Sequence, residues 1–136
     1  MQEHEVLHGI RSFKKMHELH LPTRAGDEAV AHFALAFKGE VQFEIIEPLS
    51  GDIGIYQNVL PVEGYATRFH HLGRFAGSRE AYDACLRNAR THWTMPIDYG
   101  AFGGFYAYAD ARQDLGHYLE FFTFPDDDFF ADVPRY

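Results

Sequence analysis

The chain has 136 residues and a formal charge of −8 at neutral pH, and its Lys and Arg residues form no run. A surface of that sign repels phosphate backbones, which argues against nucleic acid as a partner. Cys85 is the only cysteine, so an internal disulfide and a cysteine-built zinc site are both excluded. The first residues, Met1 to Glu5, are polar and acidic rather than a secretory leader. No apolar run approaches the roughly 18 residues of a membrane span, so a cytoplasmic protein without membrane contact is expected. The hydrophobic share of 46% suffices for a real core, and 13 Phe, 8 Tyr and one Trp favour a β-rich fold with a small-molecule cavity.

In chain order, Gln2 to Leu7 reads as one or two helical turns stopped at Gly9. Ile10 to His17 alternates weakly as a strand, and the polar stretch Pro22 to Asp27 reads as a loop. Ala29 to Phe37 and Val41 to Glu47 are strong strand candidates joined by the turn Lys38-Gly39-Glu40. Pro48 to Thr67 is loop-like, with a short helix around Ile55 to Val59. Phe69 to Phe75 reads as a strand. Ser78 is placed to cap a helix from Arg79 to about Ala89, with Tyr82, Cys85, Leu86 and Ala89 on one face. His92 to Ile97 is a further strand. Gly103 to Ala109 and Tyr118 to Phe124 form a pair linked by Asp110 to Gly116, and Pro125 to Tyr136 is an acidic, aromatic arm.

The two halves repeat. AHFALAF matches GGFYAYA, and VQFEIIEP matches HYLEFFTFP, which sets Glu44 and Glu120 in register 76 residues apart. Strand alternation groups Gln42, Glu44 and Ile46 on one face, Tyr118, Glu120 and Phe122 on another, and Phe69, His71, Gly73 and Phe75 on a third. His70 takes the face opposite His71. A mid-strand carboxylate among apolar neighbours is costly unless it is compensated. A bound cation shared with His71 would compensate both; a solvated sheet face is the alternative reading. His32, His92 and His117 read as residues that cap or line strands.

Phe69-His-His-Leu-Gly73, the helix after it, Gly104 to Tyr108 and Gly116 to Phe122 resemble the second module of the vicinal oxygen chelate superfamily, the glyoxalase and bleomycin-resistance fold. Phe43 to Pro48 looks like the end of a first module in glyoxalase-like and methylmalonyl-CoA epimerase-like proteins. The resemblance spans roughly residues 29 to 125. It implies an α+β fold of paired β-α-β-β-β modules forming a cupped mixed sheet. Residues 1–60 would be a first module lacking its opening strand and most of its helix; residues 61–136 would be a complete second module with a C-terminal arm.

In that family each module supplies an opening His or equivalent and a closing Glu or Gln to one divalent ion. Carried over, His71 and Glu120 are the ligands of module two and Glu44 the carboxylate of module one. The fourth ligand belongs to the missing strand; His8, His17 and His20 lie near it without the family's strand context. The resemblance thus implies a Zn, Ni, Co, Mn, Fe or Mg site that chelates vicinal oxygens of a small metabolite and stabilises an enolate or enediolate. Glu44 and Glu120 would be its catalytic carboxylates, with Glu44 moving the proton in an isomerase, epimerase or lyase reaction. The alternatives are a binding protein that keeps the cavity without the metal, a ring-cleaving dioxygenase-like protein, and a truncated fragment. An uncovered edge in module one further implies a homodimer.

Overall fold

A computed structural model of the chain describes residues 9–124 and 130–136. The helical turns expected over Gln2–Leu7, and His8, lie outside those residues, as does part of the expected C-terminal arm.

The first half is an antiparallel meander of β1 (Lys14–Arg24), β2 (Asp27–Lys38) and β3 (Val41–Gly51), in that spatial order. In β2 the alternation is clean: Ala29, Ala31, Phe33 and Leu35 are buried on one face. Gly26 and Gly39 close the two hairpins with φ of 83° and 60°, a region costly for residues with a Cβ.

Both flanking strands outrun their expected ends. Instead of a strand at Ile10–His17 and a loop at Pro22–Asp27, the strand runs from Lys14 through Pro22. Proline is tolerated there because the register shifts between Pro22 and Arg24, and the Pro22 carbonyl accepts from the Tyr106 hydroxyl at 2.6 Å. Likewise β3 passes Pro48 to reach Gly51, with a register shift opposite it between Val30 and Ala31.

One helical turn, α1 (Gly54–Gln57), buries Ile55 and Tyr56, in place of the expected helix around Ile55–Val59. The second half then runs β4 (His71–Phe75), α2 (Arg79–Arg90), β5 (Ile97–Ala101), β6 (Gly104–Ala109), a turn α3 (Arg112–Leu115) and β7 (Tyr118–Thr123). Its sheet has the order β4-β7-β6-β5, with β4 parallel to β7 and the other pairs antiparallel. The α+β class read from the sequence holds, as a three-stranded and a four-stranded sheet with few helices.

The α2 helix forms as its sequence requires. Ser78 Oγ accepts from the Ala81 N–H at 3.0 Å, Glu80 sits in the first turn, and Arg87 and Arg90 sit in the last, each complementing the helix dipole. Tyr82, Leu86 and Ala89 are buried, with Tyr82 and Leu86 packed over Ala107 of β6; Cys85 is half-buried on the helix. The strand expected at His92–Ile97 begins only at Ile97. The preceding residues leave the helix, and the Trp93 indole N–H donates to Asp114 at 2.7 Å, which fixes them as a connection.

β1 lies alongside β5, and a single apolar cluster joins the two sheets: Phe33 from the first, Tyr56 from α1, and Ile97, Tyr106, Tyr108 and Tyr118 from the second. Among the described residues no helix is long and apolar enough to cross a membrane.

Candidate functional site

Residues of both sheets line a cavity of about 70 Å³ that is open on one side. Its wall is apolar and aromatic, with Phe33, Tyr56, Tyr108 and Phe122 among the lining residues, and Glu44 and Glu120 are set into it. No Lys or Arg lines it among the described residues.

Glu44 reaches the cavity from β3, where its backbone pairs with Leu35 of β2; Glu120 reaches it from β7, paired with Tyr108 of β6 and Gly73 of β4. His71 is the first residue of β4. The structure brings these three together: His71 Nε2 stands 3.6 Å from Glu44 Oε1 and 4.0 Å from Glu120 Oε1. Because β4 is parallel to β7, His71 lies one alternation before Gly73, on the same face as Glu120's partner. Gly73 has no Cβ, so nothing from that position covers the Glu120 carboxylate; a methyl there would lie 3.6 Å from Oε1.

At these distances opposite charges would ordinarily pair, yet burial favours the neutral form of every member. Desolvation, then the charge of Glu120, raises the Glu44 pKa well above the usual carboxylate range. Desolvation raises Glu120 to about 7, opposed by a hydrogen bond from the Tyr108 hydroxyl. Desolvation, with the nearby His117, lowers His71 to about 4. Burial thus works against a charge on each of the three groups, and their separations exceed those of a hydrogen-bonded salt bridge.

Two observations bear on whether a cation fits. Among the described residues Glu44 Oε1 and Gln42 Nε2 are buried without a hydrogen-bond partner, and the orphaned carboxyl oxygen, unlike the amide N–H, is a group that a cation could satisfy. One imidazole with two carboxylates also suits a borderline divalent ion. The fit is looser than a closed cluster: among the described residues no group of three or more His, Cys, Asp or Glu side chains is arranged tightly enough to enclose an ion. Ligands about 2.1 Å from a tetrahedral ion stand about 3.4 Å apart, so His71 would have to approach Glu44 by about 0.2 Å and Glu120 by about 0.6 Å.

Among the described residues the other histidines do not supply a fourth ligand. His32 Nδ1 accepts from the Glu18 N–H, His20 pairs with Glu28, and His17 packs edge-on against His32. Met16, Leu19 and Leu21 take the inward positions of β1 instead. His117 donates from Nδ1 to the Tyr118 carbonyl, and His92 caps the end of α2.

Sequence reasoning missed three participants. His70, read as facing away, bonds to His71 through their Nδ1 atoms at 2.9 Å; it precedes β4 and lies outside the strand to which the alternation was applied. Tyr108 was visible only as one aromatic of a strand, yet its hydroxyl serves Glu120. Gln42 was placed on the Glu44 face, but the unsatisfied state of its amide has no signal in sequence. No protein-family model matches the sequence, and no curated protein matches it at a significant level.

Proposed function

We propose that Glu44, His71 and Glu120 hold a divalent metal ion, and that the protein is a glyoxalase-like isomerase, epimerase or lyase of the vicinal oxygen chelate type. The observation that carries this reading is the approach of those side chains from β3, β4 and β7 to within 3.6–4.0 Å of His71 Nε2, beside a cavity that Glu44 and Glu120 line, with Glu44 Oε1 lacking a hydrogen-bond partner among the described residues. Support for the family comes from the strand-helix-strand-strand-strand order of the second half and from a first half that repeats only its last three strands. On this reading β1–β3 correspond to β5–β7, and the fourth ligand position falls to water or substrate.

A bound ion would act as a Lewis acid toward two adjacent oxygens of the substrate. Glu120 is held by the Tyr108 hydroxyl, which suits a fixed ligand. Glu44 keeps an oxygen without a hydrogen-bond partner among the described residues, and once a bound ion had displaced its own proton it would be the group free to take a proton from a carbon next to a carbonyl and return it. Return by Glu44 to the neighbouring carbon, with the hydroxyl proton passing to the former carbonyl oxygen, isomerises; epimerisation would need a second acid, such as the Glu120 carboxyl, to protonate the same carbon from the other face. Gln42 Nε2, also unsatisfied, has N–H donors available for a substrate oxygen. The aromatic wall excludes water from that exchange and, without a lining cation, suits a small substrate of low charge.

His70 is bonded on both ring nitrogens, so a single free imidazole faces the carboxylates. This disfavours the ring-cleaving pattern of two His and one carboxylate. The reading is tested by incubating Zn²⁺-loaded protein with small α-hydroxyketones and 2-hydroxyaldehydes in D₂O. Loss of the C–H signal in the wild type but not in Glu44→Gln is the expected result; no exchange with any of them leaves the metal-free binding protein as the better account.

The same reading includes a homodimer. Among the described residues β3 has no strand partner on its outer edge, and Val41, Ile45 and Leu49 on it are exposed. Light scattering at micromolar concentration tests it, a clean monomer being the contrary result.

A further inference from the structure

His71 can ligate an ion through Nε2 only if that nitrogen carries a lone pair, and an imidazole free to choose would place its proton there, facing a carboxylate. The hydrogen bonds behind it remove the choice. His70 Nε2 lies 2.9 Å from the Ile55 carbonyl oxygen, which can only accept, so the proton of His70 is on Nε2. His70 is packed against Tyr56, Tyr108 and Tyr118, an enclosure that disfavours a second proton and a charge. Its Nδ1 is then an acceptor. The only ring nitrogen bonded to it is His71 Nδ1, at 2.9 Å, which must donate. With its proton on Nδ1, neutral His71 has a bare Nε2 directed at Glu44 and Glu120.

We propose that His70 is a positioning residue: the relay from the Ile55 carbonyl through His70 fixes the tautomer of His71 so that its Nε2 lone pair faces the two carboxylates. It ties α1, the single turn whose Tyr56 lines the cavity, to the site: its Ile55 carbonyl starts the chain of bonds. It also accounts for two adjacent histidines of unlike role. A lone pair opposite two carboxyl oxygens is unfavourable without a proton or cation between them, so the relay holds the site ready for a positive charge.

The tautomer follows from the hydrogen bonds and aromatic enclosure of His70; the effect on metal affinity rests on the function proposed above. Nitrogen-15 NMR of histidine-labelled, metal-free protein reads the tautomer directly. The expected result is a protonated Nδ1 and a bare Nε2 on His71; a proton on Nε2 overturns the proposal. In His70→Phe, which keeps a ring but no relay, the His71 proton should move wholly or partly to Nε2, and Zn²⁺ binding should weaken about 10- to 100-fold. In His70→Gln, whose amide can donate to Ile55 and accept from His71, both should return towards wild type. An unchanged His71 tautomer in His70→Phe also overturns it. If the wild type binds no Zn²⁺ while His71 shows the expected tautomer, the relay stands and the metal proposal fails.

Discussion

His71 Nε2 and Glu44 Oε1 stand 3.6 Å apart, both largely buried, too far for a hydrogen bond and too near for neither to be affected by the other. Removing the charge of Glu44 without changing its shape separates what the fold needs from what the site needs. In Glu44→Gln the metal-free protein should melt several degrees higher at pH 8, because a carboxylate that resists ionisation is gone. Zn²⁺ affinity should fall at least about 100-fold in the same variant. Calorimetry measures both; lower stability together with unchanged affinity contradicts the assignment.

The pH dependence of the metal-free protein follows from the same burial. Glu120 has a folded pKa of about 7, above its ordinary value, so its stabilising contribution is complete below about 4.5 and is lost as pH rises through about 7. His70 and His71 are lowered to about 4, so their contribution is present above about 6.5 and lost as pH falls through about 4. Stability should therefore peak between roughly pH 4.5 and 6.5. Saturating Zn²⁺ should flatten the alkaline fall, since the ion replaces the protons. Urea midpoints from pH 4 to 8, with and without Zn²⁺, check this; a metal-free midpoint that rises from pH 5 to 8 contradicts it.

Tyr108 should matter through its hydroxyl. That group lowers the Glu120 pKa, so Tyr108→Phe leaves the carboxyl protonated to higher pH. At pH 7 Zn²⁺ uptake should weaken by roughly 10-fold and recover in part as pH is raised, as expected for a ligand that must lose a proton first. A uniform loss across pH would instead indicate a packing defect.

The fold around the site has little slack. A Cβ on Gly104 would lie 2.2 Å from the Thr123 carbonyl oxygen and 2.5 Å from the Phe124 ring, so β6 and β7 could not keep their spacing. Gly104→Ala should cost about 2–3 kcal/mol, at the upper end of ordinary overpacking. A thermal melt within a degree of wild type would show that the strands yield more easily than this contact implies.

How much of this was legible in the sequence depends on whether a residue acts through its own strand or through a neighbour. Glu44 and Glu120 could be placed because strand alternation and the internal repeat both speak about side-chain direction. The helix from Arg79 was equally plain, with its Ser78 cap and its apolar face. The long β1 was not, since Pro22 reads as a loop until a bulge and the Tyr106 hydroxyl accommodate it. Nor was the His70 relay, which joins residues 15 positions apart through a backbone carbonyl that any residue carries. Local pattern reports direction; it does not report which distant groups complete a hydrogen bond.

The central claim is that Glu44, His71 and Glu120 bind one ion together. Isothermal titration of metal-free protein with Zn²⁺ at pH 7.5, run beside His71→Ala, Glu44→Gln and Glu120→Gln, tests it most directly. The account predicts one ion per chain in the wild type, release of protons to the buffer on binding, and loss of that site in each variant. Binding of equal strength in His71→Ala, or no binding by the wild type, would contradict it.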